Sequence, residues 1–187
     1  MKYIFLSIAF LSSIFIFGQN QHNIIKAGIN FANISSESRS FTTRISFHAG
    51  FGIENEFSEQ FSLAPEVLFS SQGAKAKNGS SREFRLNYIN LPIMFRFYPS
   101  KGFFLEAGPQ GGILVSARQS SDGNYDSNVE NIKGQDYGFN LGLGFKSESV
   151  IGINARYYFG LRDINDYEYG EKLKNGVLQI SLSFYIN

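Results

Sequence analysis

"NLGLGFKSESVIGINARYYFGL", residues 140–161, decides how the chain folds. Leu141, Leu143 and Phe145 alternate with Asn140, Gly142, Gly144 and Lys146. After a short polar break, Ile151, Ile153, Ala155, Tyr157 and Phe159 alternate with Gly152, Asn154, Arg156, Tyr158 and Gly160. A period of two means two strands, each with one apolar and one polar face. Which of those faces is inside fixes both the architecture and the solvent around it.

Six further segments carry the same alternation between about Asn23 and the end of the chain: "NIIKAGINFAN", "RISFHAGFGIENEF", "FSLAPEVLFSSQ", "LNYINLPIMFRFY", "GFFLEAGPQGGILVSA" and "GVLQISLSFYIN". No stretch reads as a long amphipathic helix. The connections alternate in length. "NEFSEQ", "YPSKG" and "KSES" are short, whereas "ISSESRSFTT", "GAKAKNGSSREF", "RQSSDGNYDSNVENIKGQ" and "RDINDYEYGEKLKNG" are long and rich in Ser, Asn, Asp and Gly. Short turns at one end, long loops at the other and an even strand count describe an eight-stranded antiparallel up-and-down transmembrane β-barrel.

Three observations set the phase. The polar rows are rich in Gly, Ser and Asn, which suits the narrow interior of an eight-stranded barrel. Their charged members, Lys26, Arg44, Glu54, Glu66, Arg96, Glu106, Lys146 and Arg156, mix signs and can neutralise one another across a lumen. Facing lipid, each Arg or Lys near the midplane would cost about 2 to 4 kcal/mol. A strand of about 11 residues tilted by about 40° also covers roughly 28 Å, close to the apolar band of an outer membrane. The apolar rows therefore face lipid. Arg44, Glu66, Arg96, Glu106 and Arg156 are expected to form a charge network in the lumen, since an unpaired buried charge is costly. Tyr88, Tyr98, Tyr137, Tyr157 and Tyr185 lie near strand ends, where those of outward phase join an interfacial girdle and those of inward phase fill the lumen.

Composition agrees. Charged residues make up 18% of the 187, below the roughly 25% usual for soluble domains, and 20 Phe with 10 Tyr supply material for a lipid-facing surface. A formal net charge of +1 offers nothing to nucleic acid. With no Cys, disulfides, thiolate metal sites and a cysteine nucleophile are excluded. "MKYIFLSIAFLSSIFIFGQNQ" reads as a secretory signal peptide over 1–18, leaving 19–187 as the barrel domain; its apolar run is short of the roughly 20 residues of a spanning helix.

The order and spacing of "KAGINF", "LAPEVLFS", "YINLPIMFRFY", "FFLEAGPQGGIL", "FNLGLGF" and "ARYYFGLRDI" resemble the PorT-like outer membrane β-barrel domain family common in Bacteroidota, across essentially the whole mature chain. The resemblance implies an outer membrane location, insertion by the barrel assembly machinery, and no shared catalytic residues. The chain ends "FYIN", where barrels of this kind commonly end on an aromatic.

Candidate chemistry is sparse. His22 and His48 are the two histidines, too few for a metal centre. Ser46 and His48 share a face and would suit a nucleophile and its base, although lumen packing explains them equally. "GPQGG" and "GLGF" lack the helix that a phosphate loop needs. No cofactor or metal is expected. The reading is an integral outer membrane barrel without enzymatic activity. It contacts outer membrane lipid and an envelope or extracellular partner through its long loops, Ala117 to Gln135 above all. A narrow solute conduit and a periplasmic lipocalin-like lipid carrier are the alternatives.

Overall fold

The computed structural model describes residues 20–36, 41–76, 83–121, 124–126, 132–147, 150–167 and 171–186; the expected signal peptide, residues 1–18, lies outside them. Nine strands follow in chain order: β1 Asn20–Ser35, β2 Phe41–Glu56, β3 Phe61–Ala76, β4 Glu83–Phe97, β5 Phe103–Ser121, β6 Asn124–Asp126, β7 Gln135–Lys146, β8 Ile151–Gly160 and β9 Lys174–Ile186. Short β6 folds back on the end of β5 alone. The other eight pair antiparallel in sequence order, and β9 returns to β1, with Ala27 opposite Leu182, so the sheet closes.

Burial follows the alternation on every barrel strand. Along β8 Ile151, Ile153, Tyr157 and Phe159 are exposed while Gly152, Asn154, Arg156, Tyr158 and Gly160 are buried. Phe47 is 58% exposed, Phe51 63% and Phe95 59%, and similar residues encircle the barrel. A continuous apolar belt of that size has no place in water, where exposed patches rarely exceed a few hundred Å². The belt is the lipid-facing surface, and the apolar interior of a lipocalin-like carrier is excluded. The girdle sorts as phase requires: Tyr137 and Tyr157 point outward, whereas Tyr88 and Tyr185 are buried in the lumen. Phe61 and Phe97 stack at 5.2 Å at the short-turn end.

Strands at the long-loop end run further than the alternation suggests. Ile34, Phe41–Thr43, Gly73–Ala76, Glu83–Phe84, Arg118–Ser121 and Lys174–Gly176, assigned to loops from their polar composition, continue the ladder. Cross-strand contacts decide this, not intrinsic propensity. Phe41 and Phe84 meet edge-to-face at 6.1 Å. Gly73 takes φ 122° beside a register shift between β2 and β3, and Phe84 O stands where its Cβ would be, so glycine is required there. The Asn78-Gly79 and Asp122-Gly123 turns lie outside the described residues.

The segment after β8 closes the extracellular mouth. Ile164 is fully buried with Ile34, Ala74, Leu86 and Tyr88, and Leu173 packs alongside. Ile164 N–H donates to Leu173 O at 2.8 Å, and its own carbonyl accepts from Lys133 N–H at 2.8 Å, tying two loops together.

Candidate functional site: a sealed, charged lumen

Beneath that apolar cap the interior is polar. Glu66, on β3, receives Arg156 Nη2 from β8 at 2.7 Å, Lys26 Nζ from β1, and Arg96 Nη2 from β4 at 3.5 Å. Glu106 of β5 faces Arg96 Nε at 3.2 Å and Arg156 Nε at 3.6 Å, and accepts from Asn154 Nδ2 at 2.8 Å. Glu54 of β2 faces Arg96 Nη1 at 3.1 Å and Lys146 Nζ at 3.2 Å, and accepts from Ser62 Oγ and Tyr98 OH, both at 2.6 Å. Three buried cations, Lys26, Arg96 and Arg156, thus balance three buried carboxylates, Glu54, Glu66 and Glu106. Balance of this kind lets charges survive in a lumen away from bulk water. Arg96 also stacks over Phe104 at 4.7 Å, and Lys146 over Tyr185 at 4.7 Å, filling the remaining width with rings.

Of the five residues expected from phase, Glu66, Arg96, Glu106 and Arg156 come together here. Arg44 does not. It pairs in register with Ala32 toward the extracellular end and binds Glu83 Oε1 through Nε at 2.7 Å. Lys26 and Glu54 take its place. Both sit on the polar rows of their strands, but alternation gives a residue's face and not its height, which depends on the register of strands distant in sequence.

Ser46 and His48 are not partners. Ser46 Oγ donates to Ser71 O at 2.6 Å, while His48 reaches Asn30 Oδ1 through Nδ1 at 2.7 Å and Ser181 Oγ through Nε2 at 2.8 Å. Hydroxyl, imidazole and amide lie in line, as in a nucleophile, base and orienting group. All three are buried, and a Cβ on Gly28 would come within 2.7 Å of the His48 ring, so the space around the imidazole is filled. Among the described residues no cluster of His, Cys, Asp or Glu has the arrangement of a metal site.

A closed barrel with an apolar belt outside and neutralised charges inside is an integral membrane protein that crosses the bilayer with strands. The chain belongs to the outer membrane protein beta-barrel domain family, whose profile matches residues 17–166, and its place is the outer membrane. The crystal structure of Neisserial surface protein A is similar at a TM-score of 0.60 and 13% identity, covering 89% of this chain and 99% of that one. Ail, the attachment invasion locus protein of Yersinia pestis, is similar at 0.56 and 15%, covering 90% and 100%. A second Ail structure, in complex with the heparin analogue sucrose octasulfate, gives 0.53 and 14%, with 90% and 100% covered. At these identities the likeness is one of fold. Comparison with curated proteins gives no match.

Proposed function

We propose that this chain is a non-enzymatic anchor whose barrel holds the extracellular loops for contact with an envelope or extracellular partner. The observation that carries the reading is the sealed lumen: Arg156, Arg96 and Lys26 locked to Glu66, Glu106 and Glu54, with Ile164 seated above them. A conduit needs a continuous water path, and an enzyme needs room for substrate beside its nucleophile. The ion pairs of Arg156 with Glu66 and Glu106, and the His48 Nε2 contact that occupies Ser181 Oγ at 2.8 Å, favour neither. Neisserial surface protein A offers a precedent, by name, for a barrel of this fold at a surface. The quoted motifs favour membership of the PorT-like group of Bacteroidota, export by the signal peptide over 1–18 and insertion by the barrel assembly machinery.

Reconstituted protein is expected to give no single-channel conductance in planar bilayers. Replacing residues 119–133 with a short Gly-Ser turn should leave the barrel folded yet remove cross-links to surface partners on whole cells. Steady conductance would replace this reading with the solute conduit, and an unchanged set of cross-links would remove the interaction role from that loop.

A further inference from the structure

Asp136 is a buried carboxylate that the lumen charge network leaves out. It lies on the inward face near the start of β7, 4% exposed, beside outward-facing Tyr137. Glu54, Glu66 and Glu106 each face at least two cations at ion-pair distance. Asp136 makes no ion pair with a described residue. Arg44, buried at the same end of the barrel, turns to Glu83 and to Ser71. Arg162 is close enough to act on the carboxylate through its charge, but its guanidinium stacks over the Tyr137 ring at 5.7 Å and donates to Gln135 Oε1 at 3.0 Å.

The surroundings of Asp136 are oxygen-rich. Asn175 Nδ2, from β9, donates to Asp136 Oδ2 at 2.8 Å and to the Tyr88 hydroxyl of β4 at 3.4 Å. The Tyr158 hydroxyl of β8 also bonds to the carboxylate. A Cβ on Gly138 would come within 2.7 Å of Tyr158 Cε2, so glycine lets that ring lie over β7 and reach Asp136. Two acceptors are left over. Asp136 Oδ1 and Asn175 Oδ1 are buried and have no hydrogen-bond partner among the described residues. Because Asn175 Nδ2 is already on the carboxylate, the oxygen of the same planar amide stands beside it.

An ionised carboxylate buried with neither a cation nor full hydrogen bonding is costly. One carboxylate, one amide oxygen and two phenol oxygens form a hard donor set, which suits an alkali or alkaline-earth ion and not a metal that prefers nitrogen or sulfur. A single positive charge would neutralise the single carboxylate, as the other lumen carboxylates are neutralised, whereas a divalent ion would leave a buried excess of charge.

We infer that Asp136 and Asn175, with the Tyr88 and Tyr158 hydroxyls, bind a monovalent alkali cation at the extracellular end of the lumen. Tyr88 packs with Ile164, so the ion ties β4, β7, β8 and β9 together beneath the apolar cap. It is a stabilising part of the barrel, independent of any partner of the loops.

The test folds full-length protein from urea into dodecyl maltoside, in sodium chloride or in N-methyl-D-glucamine chloride of equal ionic strength, and follows the β-sheet circular dichroism on heating. Wild type should melt about 3 °C higher in sodium, the shift expected of a ligand at roughly ten times its dissociation constant. D136N, or N175S if D136N does not fold, should melt at the same temperature in both salts. Equal melting of folded wild type in the two salts would overturn the inference, and so would a sodium shift that persists in the variant. A shift produced by micromolar calcium and not by sodium would overturn the monovalent assignment in favour of a divalent ion.

Discussion

Arg156 Nη2 lies 2.7 Å from Glu66 Oε2, joining β8 to β3 across the lumen between residues 90 apart in sequence. Both side chains are shut away from solvent, so the pair is sensitive to the loss of either partner. Arg156→Leu would leave Glu66 and Glu106 short of a cation and should destabilise the barrel by about 3 to 5 kcal/mol. Adding Glu66→Gln should recover part of that loss. The temperature at which unboiled protein in detergent loses its compact gel mobility reads both, and unchanged stability in Arg156→Leu would show that the pair does not hold the lumen.

Ser181, His48 and Asn30 form a buried, hydrogen-bonded line in the lumen, and the non-enzymatic reading makes it a packing device. Ser181 should stay unlabelled by a fluorophosphonate probe in folded protein. His48→Ala should lower thermal stability by about 1 to 3 kcal/mol, the order expected when buried polar partners lose their hydrogen bonds. Labelling at Ser181 that vanished in His48→Ala would instead assign nucleophilic chemistry to the lumen.

Phase is testable at adjacent residues. A cysteine replacing Ile153 should react with a lipid-phase maleimide and resist an aqueous one, because Ile153 is 55% exposed on the belt. Replacing buried Asn154 should give a thiol shielded from the lipid probe. The reverse pattern would turn the barrel inside out.

The loop that carries Ile164 is held by a carboxylate. Slight burial raises the Asp163 pKa, but the N–H groups of Leu173 at 2.9 Å and Asn165 at 3.0 Å, with Lys133 and Lys172 nearby, outweigh it and hold the carboxyl below the usual aspartate range. A depressed folded pKa contributes stability that is complete above the ordinary value of about 3.9 and lost as pH falls through the lower folded value. Hydrogen exchange at the Leu173 amide should therefore quicken, after correction for intrinsic rates, below about pH 4, and Asp163→Asn should flatten that dependence.

Much of this architecture was legible in the sequence, because a barrel one strand thick forces every side chain to one of two solvents. Leu141 against Gly142 and Ile153 against Asn154 sufficed to read strand, phase and solvent. Three things were not legible. The Gly73–Ala76 and Glu83–Phe84 extensions carry no clean alternation, since neither of their faces meets lipid; pairing, the burial of Ala74 in the cap and the contact of Phe84 with Phe41 keep them in the sheet. Ile164 sits in a polar segment, and nothing local marks it as the cap over Leu86. Arg44 and Lys26 share the same phase, but only register places Lys26 beside Glu66 and Arg44 beside Glu83. Sequence periodicity reports which way a side chain faces, and long-range register reports what it meets.

The mobility of the protein on SDS gels before and after boiling reports whether it is a closed barrel in the outer membrane. Protein from a separated outer membrane fraction should run faster unboiled than boiled, because a sealed ladder from β1 round to β9 resists detergent. A band of equal mobility in both lanes, recovered from the periplasm, would mean that the chain is not a membrane-embedded barrel.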